Sequence, residues 1–178
     1  MGNPDFTILT GAPGSGKTTI LDNVGDAVRV VGEPAREILA EQRSVGGEGT
    51  HDRDPSLFVG LLLRRSIDKH EAAQRWEGPV VFDRGVPDCV AYALYIGIDP
   101  APSIAASETY RYRNEVLVLE PWEEIYTVDD ERTMSFAATL LFHRAIVDAY
   151  ERAGYVLVTV PRGSVEDRAA FVRGRVVE

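Results

Sequence analysis

The stretch that most narrows what this chain can become is Thr10-Gly11-Ala12-Pro13-Gly14-Ser15-Gly16-Lys17-Thr18-Thr19. It follows the β-rich run Asp5-Phe6-Thr7-Ile8-Leu9. It precedes Ile20-Leu21-Asp22-Asn23-Val24, in which Ile20, Leu21 and Val24 fall on one side of a helix. Strand, G-x-x-x-x-G-K-[ST] and helix together are the context that a phosphate-binding loop requires. Gly11, Gly14 and Gly16 accept backbone angles that other residues resist, so successive N–H groups can turn inward around phosphate oxygens. The helix that begins there adds its unpaired N–H groups and its dipole. Lys17 is placed to reach the β- and γ-phosphates, and the Thr18 hydroxyl to ligate Mg²⁺. Gly11, Ala12, Pro13, Gly14, Ser15, Gly16, Lys17, Thr18 and Thr19 are therefore the expected nucleotide-binding residues, with ATP and Mg²⁺ as the expected ligands.

At 178 residues the length predicts one domain over 1–178, large enough to bury a core around this loop. A net charge of −9 argues against general nucleic-acid binding, which needs a basic face to displace counterions. It leaves room for a local basic pocket. Cys89 is the only cysteine, so an internal disulfide and a cysteine metal site are both excluded; the expectation is a small buried hydrophobe. No apolar run approaches membrane-spanning length, and the N-terminus carries no signal pattern, so a cytoplasmic location is the default expectation. The sequence carries no signal for oligomeric state.

The rest of the chain alternates helices and apolar strands. The patterning predicts a helix over 17–24, a strand over 28–31 ending at Gly32-Glu33-Pro34, and a helix over 34–40 with Pro34 in its first turn. Three glycines and no periodicity make 44–54 a mobile surface loop, or else a segment that orders over a substrate. Asp54-Pro55 opens a long helix whose later part mixes both signs and reads as a solvated face, His70 included. The buried run Val80-Val81-Phe82 ends at Asp83-Arg84-Gly85. A helix from Pro87 closes at Gly97, and Ser103 is expected to cap another through about Arg113. A strand over 116–119 precedes Glu120-Pro121-Trp122, an acidic stretch and a helix over 133–152, with a lid expected at about 120–133. A last strand over 155–160 and a helix over 165–176 complete the chain. This alternation predicts an α/β fold with three α/β/α layers and a five-stranded parallel sheet.

In such sheets ligands bind beyond the carboxyl ends of the strands, which selects particular side chains. Asp83 stands where a nucleotide-binding sheet places the carboxylate that holds Mg²⁺, directly or through water. Arg84 can pair with a second carboxylate or with a phosphate, since its guanidinium matches both. Glu33 accepts the proton of an attacking hydroxyl, holds substrate hydroxyls without taking a proton, or merely stabilises a helix start. Arg36 orients an acceptor or pairs with Glu33 or Glu37. Arg132 is either a cation that swings onto the transferring phosphoryl group or a surface residue beside the capping acids Asp129 and Asp130. Arg162, after the final strand, either flanks the adenine or belongs to an ordinary turn.

The glycine-rich loop, Glu33-Pro34-Ala35-Arg36, Phe82-Asp83-Arg84-Gly85, Glu120-Pro121-Trp122 and Asp130-Glu131-Arg132 together resemble a family of small AAA-type ATPases and kinases. That family is related to the ribosylnicotinamide kinase domain of NadR. The order of motifs is also similar to that of deoxynucleoside and thymidylate kinases, where a Glu-Pro after the second strand contacts the acceptor. The resemblance implies a kinase-like strand order with the first strand central. It also implies Glu33 as acceptor-side base, Asp83 as Mg²⁺-side carboxylate and Arg132 as a lid arginine. One departure is plain: deoxynucleoside kinases place aromatic residues after their Glu-Pro, and Glu33-Pro34-Ala35-Arg36-Glu37 has none.

The expected activity is transfer of the γ-phosphoryl group of ATP to a hydroxyl of a small molecule, with Lys17, Glu33, Asp83, Arg84 and Arg132 as the catalytic set. The alternative is a regulatory ATPase in which water is the acceptor and a protein partner reads the bound state.

Overall fold

The computed structural model of the protein describes residues 5–126 and 134–177. Its strands are β1 (Phe6–Gly11), β2 (Arg29–Val31), β3 (Val80–Asp83), β4 (Glu115–Leu119) and β5 (Val156–Thr159). All pair in parallel, in the order β2-β3-β1-β4-β5. Every residue of β1 is buried, which fits its uninterrupted apolar and threonine content and its place between β3 and β4. The edge strands β2 and β5 are partly exposed.

The helices are α1 (Lys17–Leu21), α2 (Pro34–Val45), α3 (Pro55–Ala73), α4 (Val86–Ile96), α5 (Ala101–Thr109), α6 (Phe136–Arg152) and α7 (Val165–Val177). They cover both faces of the sheet. Ile8, Phe82 and Val116 point to one face, against Val90 of α4 and Phe142 and Ile146 of α6. Leu9, Val81 and Leu117 point to the other, against Ile20 and Leu21 of α1 and Val172 and Val176 of α7. Period-two alternation along each strand thus supplies two cores, and three layers follow. A third cluster joins Ile38 of α2, Phe58 and Leu62 of α3, and Cys89 and Ala93 of α4. Cys89 is buried there, and desolvation pushes its thiol up to about 12, so it packs as a small hydrophobe.

Local differences from the sequence expectation have physical causes. Ser103 does not cap α5: the helix starts at Ala101, and Ser103 is buried inside it. That helix ends at Thr109 rather than Arg113, because Arg113 already donates its backbone N–H to Phe6 at the sheet. The helix α1 stops at Leu21, and the turn that follows still buries Val24. The start of α6 is set by Ser135, whose hydroxyl accepts from the Ala138 N–H. The helix α2 runs on to Val45 and is closed by Gly46 at φ 64°. Beyond it, Gly47 and Gly49 donate to the backbone and side chain of Gln42, folding the loop back on α2.

His70 is the clearest reversal. It is buried, not solvated; its Nε2 lies 3.1 Å from the Arg111 carbonyl, and its ring meets Phe6, Phe82 and Tyr112. Burial lowers its pKa below the ordinary 6.5, against smaller opposing effects of the Arg111 hydrogen bond and Glu71. Above pH 6.5 both folded and unfolded chains hold it neutral, so nothing is lost there. Below 6.5 the unfolded chain binds the proton first, and stability falls. Urea titrations between pH 7 and pH 5 are expected to show a shallower acid loss for His70→Gln than for the parent; parallel curves would contradict the assignment.

Candidate active site

Because all five strands are parallel, their carboxyl ends share one edge, and the loops that leave them meet there. Gly11 ends β1 at φ 139°, and a Cβ would fall 2.3 Å from the Leu119 carbonyl oxygen, so only glycine lets β1 pass β4 at this point. Gly14 and Gly16 follow at φ 75° and 87°. Ser15 Oγ donates to the Ala12 carbonyl and closes the turn. Lys17, in the first position of α1, folds back so that Nζ donates to the carbonyls of Gly11 and Ala12 at 3.2 Å each. Burial first, and the nearby Arg84 charge second, bring its pKa down to about 8, while Asp83, Glu33 and Asp88 oppose the fall.

The ends of β2 and β3 supply a buried charge cluster. Arg84 follows β3 in a left-handed conformation, φ 73°, the only non-glycine positive φ among the described residues. Such a conformation costs about 1 kcal/mol or more and persists only where surrounding contacts demand it. Here they do. The backbone N–H of Arg84 donates to Leu9, and its guanidinium donates to Glu33 at 2.8 Å and to Asp88 at 2.9 Å. Glu33 receives Arg36 on its second oxygen at 3.0 Å. Burial alone would raise the Glu33 pKa, but the Arg84 charge, then Lys17 and Arg36, hold it down at about 2. Both Arg84 and Arg36 therefore take the carboxylate option that the sequence left open.

Asp83 is different. Burial pushes its carboxyl up to about 6, the Lys17 charge resists this, and the Glu33 charge adds to it. Its Oδ1 is buried with no hydrogen-bond partner. An orphaned carboxylate oxygen beside the loop lysine is the donor a hard cation needs. Mg²⁺ characteristically takes one or two protein ligands and completes its shell with phosphate oxygens and water. Thr18, which lines the same cleft, is the second oxygen donor at hand.

The cleft measures about 940 Å³ and runs without a break from the phosphate loop past Glu33 and Arg84 to a far end between α2, α3 and α4, the far chamber of the same cavity. The loop end is lined by Pro13, Gly14, Gly16, Lys17, Thr18 and Thr19, with Trp122, Ile125 and Arg168 beside them. The far chamber is lined by Ala35, Arg36, Leu39, Ala40 and Arg43 of α2, by Phe58 of α3 and by Tyr92, Tyr95 and Ile96 of α4. Aromatic residues absent from the sequence around Glu33 are thus delivered by two other helices. Their rings form a series: Phe58 lies 5.9 Å from Tyr92, and Tyr92 and Tyr95 lie 4.7 and 5.2 Å from Phe142.

With this geometry in view, the comparisons with known proteins are specific. The sequence profile of a family described as AAA domain matches residues 6–168. The chain belongs to this AAA domain family. No curated protein matches this AAA domain protein in sequence. Solved structures that share its fold include three kinases. Deoxyadenosine kinase from M. mycoides, with products dCMP and dCDP, superposes with TM-score 0.64 at 14% identity, over 96% of this chain and 98% of its own. Thymidylate kinase from Ehrlichia chaffeensis gives 0.60 at 17% identity, over 99% of each chain. Shikimate kinase from Acinetobacter baumannii, in complex with shikimate, gives 0.54 at 15% identity, over 97% and 92%. The AAA domain protein therefore has a kinase-like P-loop fold, with five parallel strands and β1 at the centre.

Two buried residues of this AAA domain protein escaped the sequence reading. Asp88, in the first turn of α4, accepts from Thr10 Oγ1 at 2.7 Å, Arg84 at 2.9 Å, the Gly85 N–H at 2.9 Å and Tyr150 Oη at 2.5 Å. Its position three residues past Gly85 signals a helix-start acid; nothing in the sequence signals its two long-range partners, Thr10 and Tyr150. Arg168 of α7 donates to the Ser15 carbonyl at 2.8 Å and lies over the Trp122 ring at 5.4 Å. Arg162 stacks on the same ring at 5.5 Å and donates to the Pro121 carbonyl. It braces that strand end and does not line the cleft. Arg132 lies outside the described residues.

Asp88→Ala would leave Arg84 half paired in a buried site, a change expected to cost about 3 kcal/mol or more of unfolding free energy. Asp88→Asn is expected to cost less, because it keeps part of the hydrogen bonding. Equilibrium urea denaturation measures both, and a loss for Asp88→Ala below about 1 kcal/mol would remove Asp88 as the hub of this cluster.

Proposed function

We propose that this protein is a small-molecule kinase that moves the γ-phosphoryl group of ATP to a hydroxyl, with Mg²⁺ bound by Thr18 and Asp83. The observation that carries the reading is the reach of the one cleft, whose lining extends from the phosphate loop past Glu33 and Arg84 to aromatic residues of α3 and α4. A site that only hydrolysed ATP would need room for water beyond the phosphates, whereas here a chamber lined by Phe58, Tyr92 and Tyr95 opens past Glu33 and Arg84.

In this reading the loop amides and Lys17 hold the β- and γ-phosphates, and Lys17 must leave the carbonyls of Gly11 and Ala12 to do so. The acceptor oxygen forms a bond to the γ-phosphorus as the bond to the β-γ bridging oxygen breaks, ADP leaves, and the hydroxyl proton passes to an oxygen of the transferred phosphoryl group or to solvent. Glu33, held near pKa 2 by Arg84, Lys17 and Arg36, is a poor proton acceptor at neutral pH and a strong hydrogen-bond acceptor. It therefore orients the hydroxyl, and Arg84 fixes Glu33. Asp83, held near pKa 6, is the more basic carboxylate of the pair. Positioning and electrostatics supply the acceleration, as is usual for phosphoryl transfer. Thr18 and Asp83 would hold Mg²⁺, whose chemistry when bound would be to neutralise phosphate charge.

Lys17→Ala is expected to abolish ATP turnover, and turnover at the parent rate would remove the phosphate loop from the reaction. Glu33→Gln is expected to keep ATP binding within about two-fold while lowering acceptor-dependent ADP formation by about 100-fold. Unchanged transfer would reduce Glu33 to a helix-start residue. A panel of nucleosides, nicotinamide riboside, sugars and aminoglycoside-like alcohols, assayed for ADP formation, separates kinase from ATPase: only a kinase responds to one of them without matching release of free phosphate.

A further inference from the structure

The acceptor chamber carries a charge pattern that narrows what fits it. The protein is acidic, at −9 overall, yet among the described residues the charged groups lining the cleft are Lys17, Arg36, Arg43, Arg84 and Arg168 against the single carboxylate of Glu33. Both Glu33 oxygens are already taken by Arg84 and Arg36. The helix α2 creates this imbalance by sorting its side chains. Its acids Glu37 and Glu41 pair with Arg65 and Lys69 of α3, away from the chamber. Its residues 36, 39, 40 and 43 line the chamber, at the i, i+3, i+4, i+7 spacing of one helical face. Arg43 pairs with no carboxylate of the described residues.

Arg43 stands two turns beyond Arg36, about 10 Å along the helix axis. Aromatic residues line the same cleft: Phe58, buried, lies 6.1 Å from His51 and 5.9 Å from Tyr92. A small molecule that filled this chamber would meet Glu33 at one end, aromatic rings along its length and, at the far end, an arginine that pairs with no carboxylate of the described residues. A neutral sugar can hydrogen-bond Arg43 but leaves its charge without a counter-charge. A cationic ring stands between Arg36 and Arg43 and is repelled by both.

Building on the kinase reading, we propose that the acceptor is an aromatic alcohol bearing an anionic group. Its hydroxyl lies at Glu33, its ring lies against Phe58 and Tyr92, and its anion pairs with Arg43. Phosphate monoester and carboxylate share this chemistry, since guanidinium meets either through two parallel N–H groups.

Isothermal titration of the full chain, saturated with Mg-ADP, tests this with four probes of one shape. They are benzyl alcohol, 4-(hydroxymethyl)benzoate, 4-(hydroxymethyl)phenyl phosphate and 4-(hydroxymethyl)benzylamine. Both anionic probes are expected to bind about ten-fold more tightly than benzyl alcohol, with the amine weakest, as one charge-assisted contact would give. Whichever anion binds better names the source. Arg43→Gln should bring the anionic probes within about two-fold of benzyl alcohol, and Arg43→Lys should restore part of the preference. Arg43 is exposed at the protein surface, so these variants do not disturb the core. Equal binding of charged and neutral probes, binding of none of them, or an anion preference that survives Arg43→Gln would overturn the inference. With Mg-ADP bound, any of these outcomes leaves the kinase reading standing; failure to bind Mg-ADP overturns both.

Discussion

The site depends on one guanidinium. Arg84 sits in a left-handed backbone conformation at the end of a buried strand, and its charge is shared between Glu33 and Asp88. Through Glu33 it reaches β2, and through Asp88 it reaches Thr10 beside the phosphate loop and Tyr150 of α6. Burying this cluster is costly unless every member is satisfied, and an isolated charge at that depth would neutralise instead. The network therefore fixes several loops in register with one another. That is what a two-substrate reaction requires: a donor phosphate and an acceptor oxygen held within bonding distance by separate elements.

The same electrostatics divide labour between two carboxylates at the carboxyl ends of β2 and β3. The Arg84 charge, with Lys17 and Arg36, holds Glu33 ionised far below neutral pH, while burial and the Glu33 charge raise Asp83, whose Oδ1 has no hydrogen-bond partner. One is fitted to fixing a hydroxyl by hydrogen bonding, the other to meeting a cation or a proton. Neither property belongs to the residue type. Each comes from what the fold places beside it.

How far the sequence announces this varies with distance along the chain. The loop from Gly11 to Thr19 is legible because its requirements are local: glycine angles, a preceding strand and a following helix. Glu33 and Asp83 are legible because parallel strands send their carboxyl ends to one edge. Asp88 is not, since Thr10 and Tyr150 lie 78 and 62 positions away. Arg168 reaches the loop across 153 positions. His70 looked solvated because its neighbours in sequence are charged, yet the helix turns its ring into a core that only the assembled sheet creates. The aromatic wall of the far chamber is likewise assembled from α3 and α4, and no local pattern near Glu33 reports it.

The central claim is that the far chamber receives an alcohol on which the γ-phosphoryl group of ATP ends. The most direct measurement is ³¹P nuclear magnetic resonance of Mg-ATP turning over with the purified protein and an aromatic anionic alcohol. A new phosphate monoester resonance that grows in step with ADP, with little inorganic phosphate, is the predicted result. Inorganic phosphate growing in step with ADP, indifferent to every alcohol supplied, would contradict the account and assign the cleft to hydrolysis.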